Sequence, residues 1–263
     1  MIRRNATFQA LLVASRKGGG PVYTRYVNRT LAMPLTLLFW KLGLSPNTIS
    51  VLSFGITHLA LLLLLLLPTT PAVCVTAYLV LVLGFVTDSC DGQLARVTGR
   101  SSRLGDWLDH SLDMLKLLNI HMILGYVALQ QSMQHELPLT PVFVATFLCL
   151  LSQPSLFYVT SFASQVVAHR PATHQPRSGT GGRWLASLIG NGVDYGLFIM
   201  IVLLLPWPEI FVPVYLAYGL FLLVVFLATF TRILIRAARQ ERAGRAPTGD
   251  GPPQRDQSGN SAN

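Results

Sequence analysis

The stretch DSCDGQLARVTGRSSRLGDWLDHSLD, residues 88–113, holds five of the chain's 11 acidic residues. Oily sequence flanks it on both sides, AYLVLVLGFVT at 77–87 and MLKLLNIHMILGYVAL at 114–129. Placed on a helix at about 100° per residue, Asp88, Asp91, Gly92, Ala95 and Gly99 fall on one face. Gly105, Asp109, Asp113 and Lys116 share a face of the following helix, with Asp106 on its flank. The link TGRSSR, residues 98–103, is short, so the two helices are antiparallel neighbours whose acidic faces meet.

Working outward, the chain has 263 residues, 51% of them hydrophobic and 12% charged. Soluble domains carry roughly 25% charged residues. Apolar runs cover 49–67, 71–87, 114–131, 137–168, 184–205 and 208–231, and several approach or exceed the roughly 18 residues that cross a bilayer. The fold class is therefore all-α: a polytopic membrane protein with six transmembrane helices, expected at about 47–67, 72–97, 103–131, 138–168, 184–205 and 208–236. A net charge of +9 could suggest nucleic acid, but its distribution points elsewhere. Of 20 Lys and Arg, seven lie in 1–45, three in 96–103, three in 170–183 and six in 232–255, with Lys116 alone inside an apolar segment. Alternate connections carry the basic residues, which is the positive-inside pattern. It places both termini in the cytosol, and the basic flanks beside anionic headgroups rather than nucleic acid.

At the N-terminus, FQALLVA is too short for the core of a signal peptide, and SRKGGG follows it instead of a cleavage site. Residues 1–21 are read as a cytosolic tail. Residues 22–44 are aromatic and apolar but broken by Arg25, Arg29, Pro34 and Lys41, which suits an interfacial amphipathic helix. Pro46 suits the start of the first span. The membrane domain covers 22–236, and 237–263 is expected to be disordered for lack of apolar content. Cys74, Cys90 and Cys149 form neither a disulfide framework nor a metal spacing.

Asp88 stands ~25 Å along its span and Asp113 roughly 15 Å in from the cytosolic start of its own, at 1.5 Å per residue. These acids thus line a cleft open to the cytosol. Unpaired carboxylates there repel one another and lose hydration, so a cation must offset them. All-oxygen ligation suits Mg²⁺ or Mn²⁺ rather than zinc, and two ions sharing carboxylates would suit phosphoryl chemistry. A carboxylate-lined cation transporter or channel is the alternative of another class.

The spacing D-x-x-D-G-x-x-A-R-x₈-G-x-x-x-D-x-x-x-D, from Asp88 to Asp113, resembles the signature of the CDP-alcohol phosphatidyltransferase family at all eight of its positions. PNTIS at 46–50 is similar to a further family element. The resemblance implies a phospholipid-biosynthetic enzyme that displaces CMP from a CDP-alcohol, usually CDP-diacylglycerol, by the hydroxyl of a second alcohol. It implies Asp88, Asp91 and Asp109 as metal ligands, and Asp113 as both a contributor to the metal site and the general base. Gly92 and Ala95 would admit the cytidine diphosphate, with Arg96 near its phosphates, Asn47 as a nucleotide contact and Gly105 for helix packing. A choline- or ethanolamine-type phosphotransferase using a CDP-headgroup donor stays open, as does a homodimer.

The acceptor alcohol is not specified by these residues. Lys116 could receive an anionic group or simply offset the acids. Asp194, about half-way along the fifth span, belongs either to the acceptor pocket or to helix packing beside Gly192 and Gly196. Arg170, Arg177 and Arg183 admit a phosphate-binding reading and a topological one, while His110 and His121 are read as structural. Arg outnumbers Lys 17 to 3, a bias that fits a GC-rich genome and a bacterial plasma membrane.

Overall fold

A computed structural model describes residues 22–166 and 194–244, and these are helical and connecting residues without a strand. Wide π-type turns at Tyr23–Asn28 lead into α1, Arg29–Lys41. Four long helices follow: α2 at Pro46–Leu66, α3 at Pro71–Thr98, α4 at Arg103–Gln134 and α5 at Thr140–Val166. After the undescribed segment comes the short α6 at Tyr195–Phe198, which tightens into a 3₁₀ stretch, Ile199–Leu204. The last helix, α7, runs Pro208–Gly244.

The helix starts are written in the local sequence. Ser45 accepts from the Thr48 N–H and Thr70 from that of Val73, each with a proline at the first helical position. Ser102 caps α4 by accepting from the Gly105 N–H at 3.0 Å. Such caps satisfy donors that the first turn leaves open. Helix α3 stops at Gly99, whose φ of +66° is a left-handed conformation that favours glycine.

Among the described residues, α2, α3, α4, α5 and α7 are long and apolar enough to cross a membrane. Their outward faces carry Leu59, Leu66, Leu79, Phe143, Phe147 and Val224, each more than half exposed. That apolar exterior needs lipid as its solvent. The expected fifth span, 184–205, is described only from Asp194 onward, so the count of five falls one short of six within the described residues. Helix α7 continues past the expected end at 236 to Gly244. The segment RAARQERA offers Arg, Ala, Gln and Glu, all good helix formers, so low apolar content alone does not end the helix.

Helix α1 lies across α3, burying Ala32 and Phe39 with Ile49, Val86, Cys90 and Leu94. Four hydrogen bonds fasten it and the turn before it. Asn28 donates to the Phe85 carbonyl (3.1 Å) and to Ser89 (2.6 Å), Thr36 bonds to Gln93 (2.9 Å), and Gln93 donates to the Arg29 carbonyl (3.0 Å). Deeper in the bundle α4, α5 and α7 meet at His121, which is fully buried. Its Nε2 donates to Gln153 Oε1 at 2.5 Å, leaving Nδ1 to accept from the Tyr215 hydroxyl at 2.7 Å. A neutral imidazole has one donor and one acceptor, and both find partners here.

Asp194 corrects an expectation. It is not within a continuous span helix but in extended conformation at the N-cap of α6. Its buried carboxylate accepts from the Gly196 N–H (3.1 Å) and from both the N–H and hydroxyl of Thr24 (3.0 and 2.8 Å). A carboxylate in this position starts the helix by accepting from an N–H that the first turn leaves open. It joins the N-terminal turns to α6. Nearby, burial pushes the Tyr23 phenol up to about 12, with Tyr78 and then Asp194 adding to the effect. Asp194→Ala orphans three donors, and we expect it to destabilise the fold by about 2–4 kcal/mol. Thermal unfolding in detergent checks this; an unchanged midpoint would return Asp194 to the acceptor-pocket reading.

Candidate active site

Helices α3 and α4 are joined by the link from Gly99 to Ser102 and both pack against α2, and each turns two carboxylates into the cleft between them. Asp88, Asp91 and Asp109 each present an oxygen within 4.8 Å of the others. Opposite oxygens around Mg²⁺ at ~2.1 Å stand about 4.2 Å apart, so small side-chain movements suffice for one hard cation to reach all three. The donor set is all-carboxylate, the chemistry of Mg²⁺ or Mn²⁺ rather than of zinc. Three carboxylates this close repel one another where water is scarce, and a divalent ion offsets that repulsion. The residues therefore fit a metal site.

The sequence did not reveal the hydrogen-bond partners behind these carboxylates. Helix α2 contributes Ser50, whose hydroxyl donates to Asp91 Oδ2 at 2.5 Å, and Ser53, whose hydroxyl donates to Asp88 Oδ1 at 3.1 Å. Both serines are buried and lie three residues apart, on one helix face. The sequence signal for them was a pair of hydroxyls at helical spacing within PNTISVLS, with Ser50 closing the PNTIS element and Ser53 just after it.

Asp113 is placed differently from the other three acids. Its Oδ1 lies 3.0 Å from the Lys116 ammonium, which is also paired with Asp88 and donates to Ser53 Oγ at 2.9 Å. Lys116 is 5% exposed. The reading of Lys116 as a partner of the acids thus describes its contacts. Asp106 is exposed and joins none of these contacts among the described residues; its backbone carbonyl lies 2.7 Å from His110 Nδ1.

The remaining signature residues lie toward the Gly99–Ser102 end of the cleft. The Arg96 guanidinium lies over Gly92, where an added Cβ would stand 3.1 Å from a guanidinium nitrogen. Ala95 is half-buried on the same helix. At Gly105 an added Cβ would meet Asn47 Oδ1 at 3.0 Å and Ser102 Oγ at 3.1 Å, so the missing side chain lets α4 approach the start of α2. The structure brings Asn47 to Gly105, beside the first turn of the helix that carries Asp109.

On the opposite side, a cavity of about 550 Å³ reaches the cluster at Asp88, Asp113 and Lys116. Phe85, Leu117, Leu156, Phe157 and Val225 make its walls mainly apolar, and Thr24, Asp194 and Tyr195 also line it. Asp194 therefore lines the cavity as well as capping α6. The segment holding Arg170, Arg177 and Arg183 lies outside the described residues.

The family model described as CDP-alcohol phosphatidyltransferase matches residues 43–230. Among curated proteins, an archaetidylinositol phosphate synthase of Pyrococcus horikoshii is 36% identical over 75 residues. That match covers 28% of this chain and 37% of the relative, so the chain aligns with little more than a third of the relative's length.

Proposed function

Because the chain belongs to the CDP-alcohol phosphatidyltransferase family, we propose that it transfers a substituted phosphate group from a CDP-alcohol, with CDP-diacylglycerol as donor, to the hydroxyl of a second alcohol. The acceptor oxygen forms a bond to the phosphorus that bears the donor alcohol. The bond from that phosphorus to the CMP oxygen breaks, and CMP leaves. The observation that carries this reading is the cluster of Asp88, Asp91 and Asp109, with Asp113 standing apart at the wall of a membrane-side cavity.

In this reading Asp88, Asp91 and Asp109 hold Mg²⁺ or Mn²⁺, which would offset the charge of the diphosphate and of departing CMP. Gly92 and Ala95 leave room for the nucleotide's diphosphate, and Arg96 and Asn47 contact it from the cytosolic mouth. Asp113 takes the proton of the acceptor hydroxyl as general base. The Lys116 ammonium holds Asp113 in place through a contact of 3.0 Å to its Oδ1. Both termini lie on the cytosolic side, where the nucleotide is found.

A second reading has its own support in the apolar cavity wall beside Asp113. If CDP carries the headgroup, the acceptor is a diacylglycerol, and its hydroxyl reaches Asp113 from the bilayer. One assay separates the two. Purified protein in detergent with Mn²⁺ is given CDP-diacylglycerol and a panel of glycerol 3-phosphate, inositol, inositol phosphate and serine. Parallel reactions receive CDP-choline or CDP-ethanolamine with diacylglycerol. CMP release is expected with CDP-diacylglycerol and one acceptor, and its loss on chelation. Release only from the CDP-headgroup donors would select the second reading, and none from either donor class would refute both.

A further inference from the structure

The carboxylates of this site do not form one uniform group. Three of them converge on a common point, while the fourth, Asp113, is tied to Lys116. An ammonium has three N–H donors, and each finds an acceptor here: Asp88 Oδ1, Asp113 Oδ1 at 3.0 Å and Ser53 Oγ at 2.9 Å. Ser53 in turn donates to the same Asp88 oxygen at 3.1 Å. Helices α2, α3 and α4 thus build a complete, nearly closed cradle around a single positive charge.

That cradle lies between Asp88 and Asp113, where a second divalent ion sharing Asp88 with the first would have to sit. Displacing the ammonium would strand it in a buried, apolar surround, and removing one partner of a buried pair is costly. We infer that Lys116 is the second cation of this site, and that the chain therefore takes one divalent ion where two carboxylate-sharing ions would otherwise fit. The inference rests on the reading of Asp88, Asp91 and Asp109 as ion ligands. Lys116 is a positioning residue in this role: it holds Asp113 and Asp88 in place without touching the reacting atoms.

The test counts ions rather than turnover. Mn²⁺ is titrated into metal-stripped wild-type protein in detergent, with stoichiometry from free-Mn²⁺ electron paramagnetic resonance and the bound signal read at low temperature. One ion per chain with an uncoupled six-line signal is expected. In Lys116→Met, which vacates the cradle and leaves both carboxylates, the count should rise to two with an exchange-coupled signal; Lys116→Arg should retain one. Two ions in the wild type would overturn the inference while leaving the metal site intact, as would a count that stays at one in Lys116→Met. No bound ion in the wild type would instead refute the metal reading of the Asp cluster. If Lys116→Met fails to fold, the wild-type count and signal still decide.

Discussion

CMP release by an Asp113→Asn variant should fall by roughly 10²–10⁴-fold, the usual contribution of a positioned general base. The substitution keeps the shape of the side chain and an oxygen for Lys116, whose contact with Asp113 Oδ1 is 3.0 Å. What it removes is the capacity to take a proton. Asp88, Asp91 and Asp109, which hold the proposed ion, are left unchanged. Mn²⁺ binding and CDP-alcohol binding should therefore stay near wild type while turnover collapses, a loss in kcat rather than in KM. A variant that binds Mn²⁺ normally and still releases CMP at a tenth of the wild-type rate or better would move the base elsewhere.

Asp91→Ala should be at least as damaging, by a different route. Asp91 is 8% exposed, with Ser50 donating to one of its oxygens at 2.5 Å. Removing it takes one of three converging ligands and leaves the Ser50 hydroxyl facing a void. Loss of an outer-shell partner typically costs 10–100-fold in metal affinity, so loss of a ligand should exceed roughly 100-fold and bring CMP release to background. Ser50→Ala provides the graded comparison, with Mn²⁺ affinity expected to weaken by about 10–100-fold. Titration of Mn²⁺ followed by paramagnetic resonance reads both variants. Equal affinity in Asp91→Ala and wild type would exclude Asp91 from the ion site.

The helical architecture was legible because α2 and α3 each begin with a cap and a proline and the spans carry long apolar runs. The carboxylate faces were legible because helical spacing puts Asp88 with Asp91 and Asp109 with Asp113, and the short link returns α4 alongside α3. The contribution of α2 was not. Ser50 closes the PNTIS element but Ser53 looks like an ordinary small residue in an apolar helix, and only tertiary packing decides which way such a helix turns. Lys116 could be placed on the acidic face, yet whether its ammonium met an acceptor or the acids depended on distances. Asp194 misled because hydropathy averages over a window: one carboxylate among apolar residues reads as an interruption of a span, when it is the start of a helix. The layer of His121, Gln153 and Tyr215 joins residues far apart in sequence, and no local pattern connects them.

That layer has a bearing on the accuracy of the chemistry. His121 stands eight residues beyond Asp113 on α4, two turns deeper into the membrane, and is gripped by α5 on one nitrogen and by α7 on the other. A slip of α4 by a single residue would swing Asp109 and Asp113 by about 100° around the helix axis, away from Asp88 and Asp91. The same slip would tear His121 from both partners in a medium that offers no replacement. The angular setting of the reactive end, open to water and substrates, is thus indexed from the dry end of the same helix, as a key is held true by the part of the lock it does not turn.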